Sequence, residues 1–175
     1  MSKKKPKPPT VDCPFVVTID TSEQHPYIFR GLRENKEQEL IVEYKWQSLD
    51  TGDYSIQGYH DLLTVERKSK ADLYSTLGQG RERFEAEHER MKTIIDAGGF
   101  AAVVIEAEWS ELLSQPPEHS RLLPKTVYRT CLAWTQRYKV PWFAMSDRRA
   151  AEVTTFRLLE RFWRDRNVKK KKKSA

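Results

Sequence analysis

"GDYSIQGYHDLLTVERKSKADLYSTLGQGRERFEAEHERMKTIIDAGGFAAVVIEAE", residues 52–108, changes its periodicity twice, and those changes decide the fold. "GDYSI" and "LLTVERK" are short β-rich runs flanking "QGYH", whose Gly58 suits a turn, so residues 53–67 read as a hairpin. Ser69, with Asp72 three residues on, has the capping-box spacing and opens a first helix at "SKADLYSTL". "RERFEAEHERMKTIIDAGG" is the clearest helix. Its Phe84, His88, Met91 and Ile95 recur at i, i+4, i+7 and i+11, and Gly98 and Gly99 stop it. "FAAVVIEAE" then runs apolar without alternation, as a strand buried on both faces does.

Outward from this stretch, "PFVVTID" (14–20) and "LIVEYKWQSL" (from Leu40) each read as one strand. Helix resumes from about Pro124 to Tyr138, "VPWFAM" is another buried strand, and Asp147 caps a last helix reaching about Arg164. Strands followed by helix, strand, helix, strand and helix describe an α/β fold, a central mixed β-sheet flanked by helices. In the last helix Val153, Phe156, Leu159 and Trp163 form one stripe, which Leu158 and Phe162 widen. That width suits either a well-covered core helix or a dimer contact. No internal repeat is present.

The 175 residues suit a single domain, with a body at 13–167. Cys13 and Cys131 form neither a disulfide framework nor a zinc pattern, and no run is apolar enough to span a membrane. "MSKKKPKPPT" has no apolar segment behind its charge, so a soluble, intracellular protein is expected. The net charge of +6 is uneven: residues 1–9 carry four lysines and 168–175 carry five, and without those nine the remaining residues stand at −3. Residues 1–12 and 168–175 therefore read as basic, disordered tails. They either solubilise the chain, hold nucleic acid without regard to sequence, or address it to a nucleus. The expected location is nuclear for a eukaryotic source, and cytoplasmic and nucleoid-associated for a prokaryotic or viral one.

Side chains alternate across a strand, so Glu66 and Lys68 share one face and Val65 and Arg67 the other. A turn centred on Gly58 and Tyr59 pairs Ile56 with Asp61 and Asp53 with Thr64, which sets Asp53 diagonally beside Glu66 on the same face. A one-residue slip would turn it away. Two carboxylates a few Å apart repel, and a divalent cation removes that penalty; Mg²⁺ is typically held by one or two carboxylates with waters and substrate phosphate. With a lysine beside them, this is equipment for phosphodiester hydrolysis. The bland alternative is a turn aspartate and a surface Glu-Lys pair.

Gly52-Asp53, Glu66-Arg67-Lys68 and Asp72 spell G-D…E-R-K-x-x-x-D, and on these residues the chain resembles the XPF-type nuclease family of structure-specific DNA endonucleases. "IDTSEQHPY" is similar to that family's D-x-R-E motif through Asp20 and Glu23, with Ser22 where arginine is expected. "QGRERFEAE" is similar to its next helix and "VVIE" to its next strand, with Glu106 at the end; the likeness runs from about residue 14 to 165. It implies a restriction-endonuclease-like core, dependence on Mg²⁺ or Mn²⁺, and cleavage of branched or flapped DNA in repair or recombination. It further implies Asp53, Glu66 and the Arg67 backbone carbonyl as metal ligands, Lys68 as the residue that positions the base or stabilises charge, and Asp20 as an additional acid.

Asp72 fits either a helix cap or a site contact, and Arg81 and Arg83 either touch phosphate or form ion pairs with Glu82 and Glu85. His88 reads as a packed core histidine and the five tryptophans mostly as core. Members of this family often carry a helix-hairpin-helix module after the nuclease domain, where this chain has lysines. Branch recognition then falls to the tails, to a homodimer or to a partner protein. A catalytically silent DNA-binding or scaffold member, and a nuclease acting on RNA or as a restriction enzyme, are the rival readings. The intact Asp, Glu and Lys set favours an enzyme.

Overall fold

A computed structural model describes residues 8–173, the last six of them as backbone only. Residues 1–7, 174 and 175 lie outside the described residues, and with them much of the two expected tails. The chain forms β1 (Thr10–Asp12), β2 (Val17–Ile19), β3 (Glu39–Ile41), β4 (Tyr44–Trp46), β5 (Tyr54–Ile56), β6 (Leu63–Lys68), α1 (Lys70–Gly78), α2 (Arg81–Asp96), β7 (Phe100–Ile105), α3 (Trp109–Ser114), α4 (Pro124–Tyr138), β8 (Trp142–Ala144) and α5 (Arg148–Lys173). Six strands make one mixed sheet in the order β4-β2-β5-β6-β7-β8. The β2–β5 and β5–β6 pairs are antiparallel; the β2–β4, β6–β7 and β7–β8 pairs are parallel.

Helices cover both faces. Ala101, Val103 and Ile105 of β7 pack with Leu73, Phe84, Met91 and Trp134 from α1, α2 and α4. Val104 points the other way, into a core where Phe156, Leu159 and Phe162 of α5 meet Val17, Ile19, Tyr54 and Val65. This two-sided burial is why the β7 segment is apolar without alternation. Leu158, Val153 and Trp163 pack against the same core, so the wide apolar stripe of α5 is used within the chain.

Four local expectations change. The run from Leu40 breaks after Ile41: β3 pairs with β1 in a separate two-stranded sheet, while β4 joins the main one. Thr10–Asp12, expected as the end of a tail, are thereby part of the fold, and the α5 backbone continues past 167 to Lys173. The short α3 stands where no helix is expected. Finally the hairpin pairs Tyr54 with Val65, two residues from the expected register, because residues 57–62 form a longer turn closed by bonds from the Leu62 and Leu63 amides to the Tyr59 carbonyl, both 2.9 Å or shorter. A shift of two preserves every side chain's face, whereas a shift of one would invert it.

His88 is fully buried among Phe84, Trp134, Tyr138 and Trp142, one ring nitrogen 2.9 Å from the Phe84 carbonyl. Burial outweighs the Phe84 carbonyl and the nearby Glu87 and pushes its pKa down to about 4. The unfolded chain therefore takes up this proton first. The stabilisation is complete above about pH 6.5 and is lost as pH falls toward 4, roughly 3 kcal/mol in all. Across that range wild type is expected to lose roughly 3 kcal/mol relative to His88→Phe, which has no group to titrate, as melting curves of the two would show. Parallel loss in both proteins would contradict a buried neutral imidazole. No helix of the described residues is long and apolar enough to cross a membrane.

Candidate functional site

Asp53 stands one residue before the Tyr54–Val65 pair, its amide donating to the Val65 carbonyl at 3.0 Å, and it lines one pocket with Glu66 and Lys68. Gly52 makes this approach possible. Its φ of +73° suits glycine, and a Cβ there would lie 2.0 Å from the Thr64 hydroxyl, which donates to the Thr51 carbonyl at 2.7 Å. Gly52→Ala is therefore expected to lower stability by about 1–3 kcal/mol. Gly78→Ala, at a helical glycine with open space around it, is expected to be neutral or stabilising. Melting temperatures of the two variants decide whether the 51–53 turn is as tight as this.

Around Asp53, Glu66 and Lys68 lies a pocket of about 330 Å³ reached by Asp20 and Ser22 from the end of β2, by Asp50 and Gly52 from the loop before β5, and by Arg83, Glu87 and Arg90 from α2. The Lys68 ammonium contacts the Glu66 carboxylate and sits 4.9 Å over the Phe84 ring. Asp53 accepts a 2.7 Å bond from the Arg67 amide. In a strand, N–H and C=O of one residue open on the same edge, so the Arg67 carbonyl lies on that edge too, beyond the first paired residue of β5.

Burial raises the Asp53 carboxyl to about 7 against the pull of the Arg67 amide and Lys68. Glu66 is pushed well above its usual range, first by burial and then by Asp53, with Glu87 adding to the rise. Burial alone would lower Lys68, but Glu66, Asp53 and Glu87 outweigh it and hold the ammonium charged. One cation among three carboxylates leaves excess negative charge, which a divalent cation would offset. Among the described residues no three His, Cys, Asp or Glu side chains converge as a ready-made metal cage. The donors that fit an ion are two carboxylates and a carbonyl, a set that leaves room for water and phosphate, as Mg²⁺ prefers.

Asp20 lines the same pocket, but both its oxygens are engaged, by the Ser22 amide at 2.9 Å, the Ser22 hydroxyl and the Leu49 amide at 2.7 Å. Burial would raise its pKa; these donors overcome that and lower it. Ser22, standing where an arginine is expected, thus caps Asp20.

Glu23 and Arg67 belong to the opposite face. The Arg67 guanidinium is bidentate to Glu106 at 2.8 and 3.0 Å, lies 3.5 Å from Glu23, and stacks over Tyr27. Arg148 of α5 joins Glu106 at 2.8 Å. Asp72 turns to Ser69, its amide donating to the serine hydroxyl and its carboxylate accepting from it, so the contact it makes is the helix cap. Arg81 leans onto Thr130 and Trp134 of α4.

Glu87 and Arg90 are among the pocket residues that escape the sequence reading. Glu87 accepts from the Gly52 amide at 3.1 Å and the Thr51 hydroxyl at 3.4 Å, tying α2 to the turn that carries Asp53. Arg90 donates to the Asp50 carbonyl at 3.1 Å. Their signal is a polar stripe, Arg83, Glu87 and Arg90, one position before the apolar Phe84, His88 and Met91, which places it at the margin of the core.

The family model described as ERCC4 domain matches residues 19–156. A search of curated proteins gave no match. Among solved structures, XPF from Aeropyrum pernix superposes with a TM-score of 0.56 at 18% identity, covering 82% of this chain and 62% of that one. XPF from Aeropyrum pernix in complex with DNA superposes with 0.57 at 20% identity, covering 83% and 64%. This chain thus spans less than two thirds of either solved chain, and at these identities the likeness is one of fold.

Proposed function

Since the chain belongs to the ERCC4 domain family, we propose that it is a divalent-metal-dependent endonuclease that hydrolyses phosphodiester bonds in branched or flapped DNA, in repair or recombination. The observation that carries this reading is the convergence of Asp53, Glu66 and Lys68 on one buried sheet face, with their charges poorly balanced by the protein itself. Asp53, Glu66 and the Arg67 carbonyl would hold Mg²⁺ or Mn²⁺, which when bound supplies Lewis-acid stabilisation of charge on the phosphate.

Lys68, held against Glu66, offers a compact cation to orient the attacking water and offset charge in the transition state. Asp20 keeps the Leu49–Gly52 loop in place through the Leu49 amide, a supporting role beside that of an additional acid. Arg67, Glu23 and Glu106 brace the end of β6 from behind, and Asp72 caps α1. The partner is DNA. The lysine segments, a second copy of the chain or another protein would supply branch recognition, and the location follows as nucleoid-associated or nuclear according to the source.

Incubation with labelled flap, fork, four-way-junction and duplex DNAs, and with the matching RNAs, tests the reading. Cleavage of a branched DNA in Mg²⁺ or Mn²⁺ and none in EDTA is expected. Metal-independent cleavage, or binding without cleavage of any substrate, would favour a different enzyme or a silent scaffold.

A further inference from the structure

Depressions run end to end across the catalytic face. The carboxylate pocket shares Thr76 and Arg83 with a depression bounded by Gly78 and Gly80. On its other side it shares Arg90 and Asp50 with one that extends to Gln47 and His60. A small-molecule enzyme needs a single enclosed cleft; joined open depressions with the reactive groups at the middle suit a polymer.

Helix α2 forms one wall, and its Arg83, Glu87 and Arg90, at i, i+4 and i+7, face the carboxylate pocket together. Glu87 reaches the turn at Gly52, so the two arginines stand on either side of the group that would hold the metal. Both are exposed. The ion pairs of the described residues go to lysines and to other arginines and leave these two without a carboxylate. Arg90 is aimed by its bonds to the Asp50 and Ala86 carbonyls, at 3.1 and 3.3 Å, which leave its remaining nitrogen without a partner among the described residues.

We propose that this trough seats the strand being cut, with Arg83 and Arg90 each gripping a backbone phosphate, one on either side of the scissile bond. The inference rests on the nuclease reading above and adds the path of the strand and the residues that set its register. Guanidinium groups suit this task because their planar fork matches phosphate oxygens bidentately. Seven helical residues span about 10 Å along the axis, roughly two steps along the phosphate path of one strand, which runs outside the bases and is longer than their roughly 3.4 Å axial rise. Two grips at that spacing would hold the intervening phosphate in place without reading any base.

The test uses the full chain and DNA oligonucleotides carrying a single neutral methylphosphonate, stepped along the strand through the mapped cut. Affinity is measured by anisotropy in EDTA. In wild type, two positions on opposite sides of the cut, roughly two nucleotides apart, are expected to weaken binding by about tenfold. In Arg83→Ala one of them becomes silent, and in Arg90→Ala the other does; each variant also loses about one unit from the slope of log affinity against log salt. Arg90→Gln, which retains an amide for the Asp50 carbonyl but not the charge, should behave as Arg90→Ala does and separates phosphate contact from loop support. If wild type cuts DNA but both variants keep both sensitive positions, or lose the same one, the clamp is wrong while the nuclease reading stands. If wild type neither binds nor cuts nucleic acid, both fall.

Discussion

Asp53→Asn and Glu66→Gln are each expected to abolish DNA cleavage while leaving the fold and DNA binding largely intact. Each amide keeps the size of the side chain it replaces and removes one of two charges on which the site's chemistry depends. The effect on single-turnover rate should be at least about 10²- to 10³-fold, as for other groups that act on developing charge in a closed site. Stability should change little at position 53, because the Asn oxygen can still accept from the Arg67 amide and a buried charge is removed. At position 66 the Lys68 ammonium loses its partner, so some destabilisation is expected there. Binding is set mainly by phosphate contacts elsewhere, and persists. Circular dichroism and anisotropy in EDTA separate these readouts from rate.

Lys68→Arg is expected to cost about 10²-fold in rate with the protein still folded. The ammonium is packed between the Glu66 carboxylate and the Phe84 ring, in a pocket sized for one compact cation. A guanidinium is wider and planar, and would press into the space that water and phosphate need. Arg67→Lys differs in kind. Its side chain lies behind the sheet, 8% exposed, in a bidentate pair with Glu106. A lysine keeps the charge but loses the fork, so the expected loss is about 1–3 kcal/mol of stability, with a rate within about tenfold of wild type at temperatures where the protein is folded. Denaturant titrations beside single-turnover rates distinguish the two: a Lys68 variant that is unstable but fast, or an Arg67 variant that is stable but dead, would reverse the assignment of faces.

Much of this was legible from residue order because strand alternation is a rigid rule. That Glu66 and Lys68 share a face, with Arg67 behind, follows from position alone, and the structure places Arg67 on Glu106 accordingly. The side of Asp53 survived an error of two residues in the hairpin register, since the error was even. α2 and α4 announced themselves through apolar spacing, the glycines after α2 and Pro124 at the start of α4. What stayed hidden depended on tertiary packing. Glu87 and Arg90 enter the site only because α2 lies along β6 and β7, and nothing local distinguishes them from a solvated polar face. The division of the Leu40 run between two sheets likewise depends on β1, whose three residues carry no strong signal. Asp20 was legible as an acid near the site, but not that Ser22 and Leu49 would occupy its oxygens.

The decisive measurement compares single-turnover cleavage of one labelled flap DNA by wild type, Glu66→Gln and Glu106→Gln. Both carboxylates stand near the ends of adjacent parallel strands and both contact a basic neighbour, yet they occupy opposite faces of the sheet. If the face bearing Asp53, Glu66 and Lys68 is catalytic, Glu66→Gln falls to background, while Glu106→Gln loses stability but cuts within about tenfold of wild type once folded. Wild-type cleavage by Glu66→Gln, or a folded Glu106→Gln as inactive as Glu66→Gln, would contradict it.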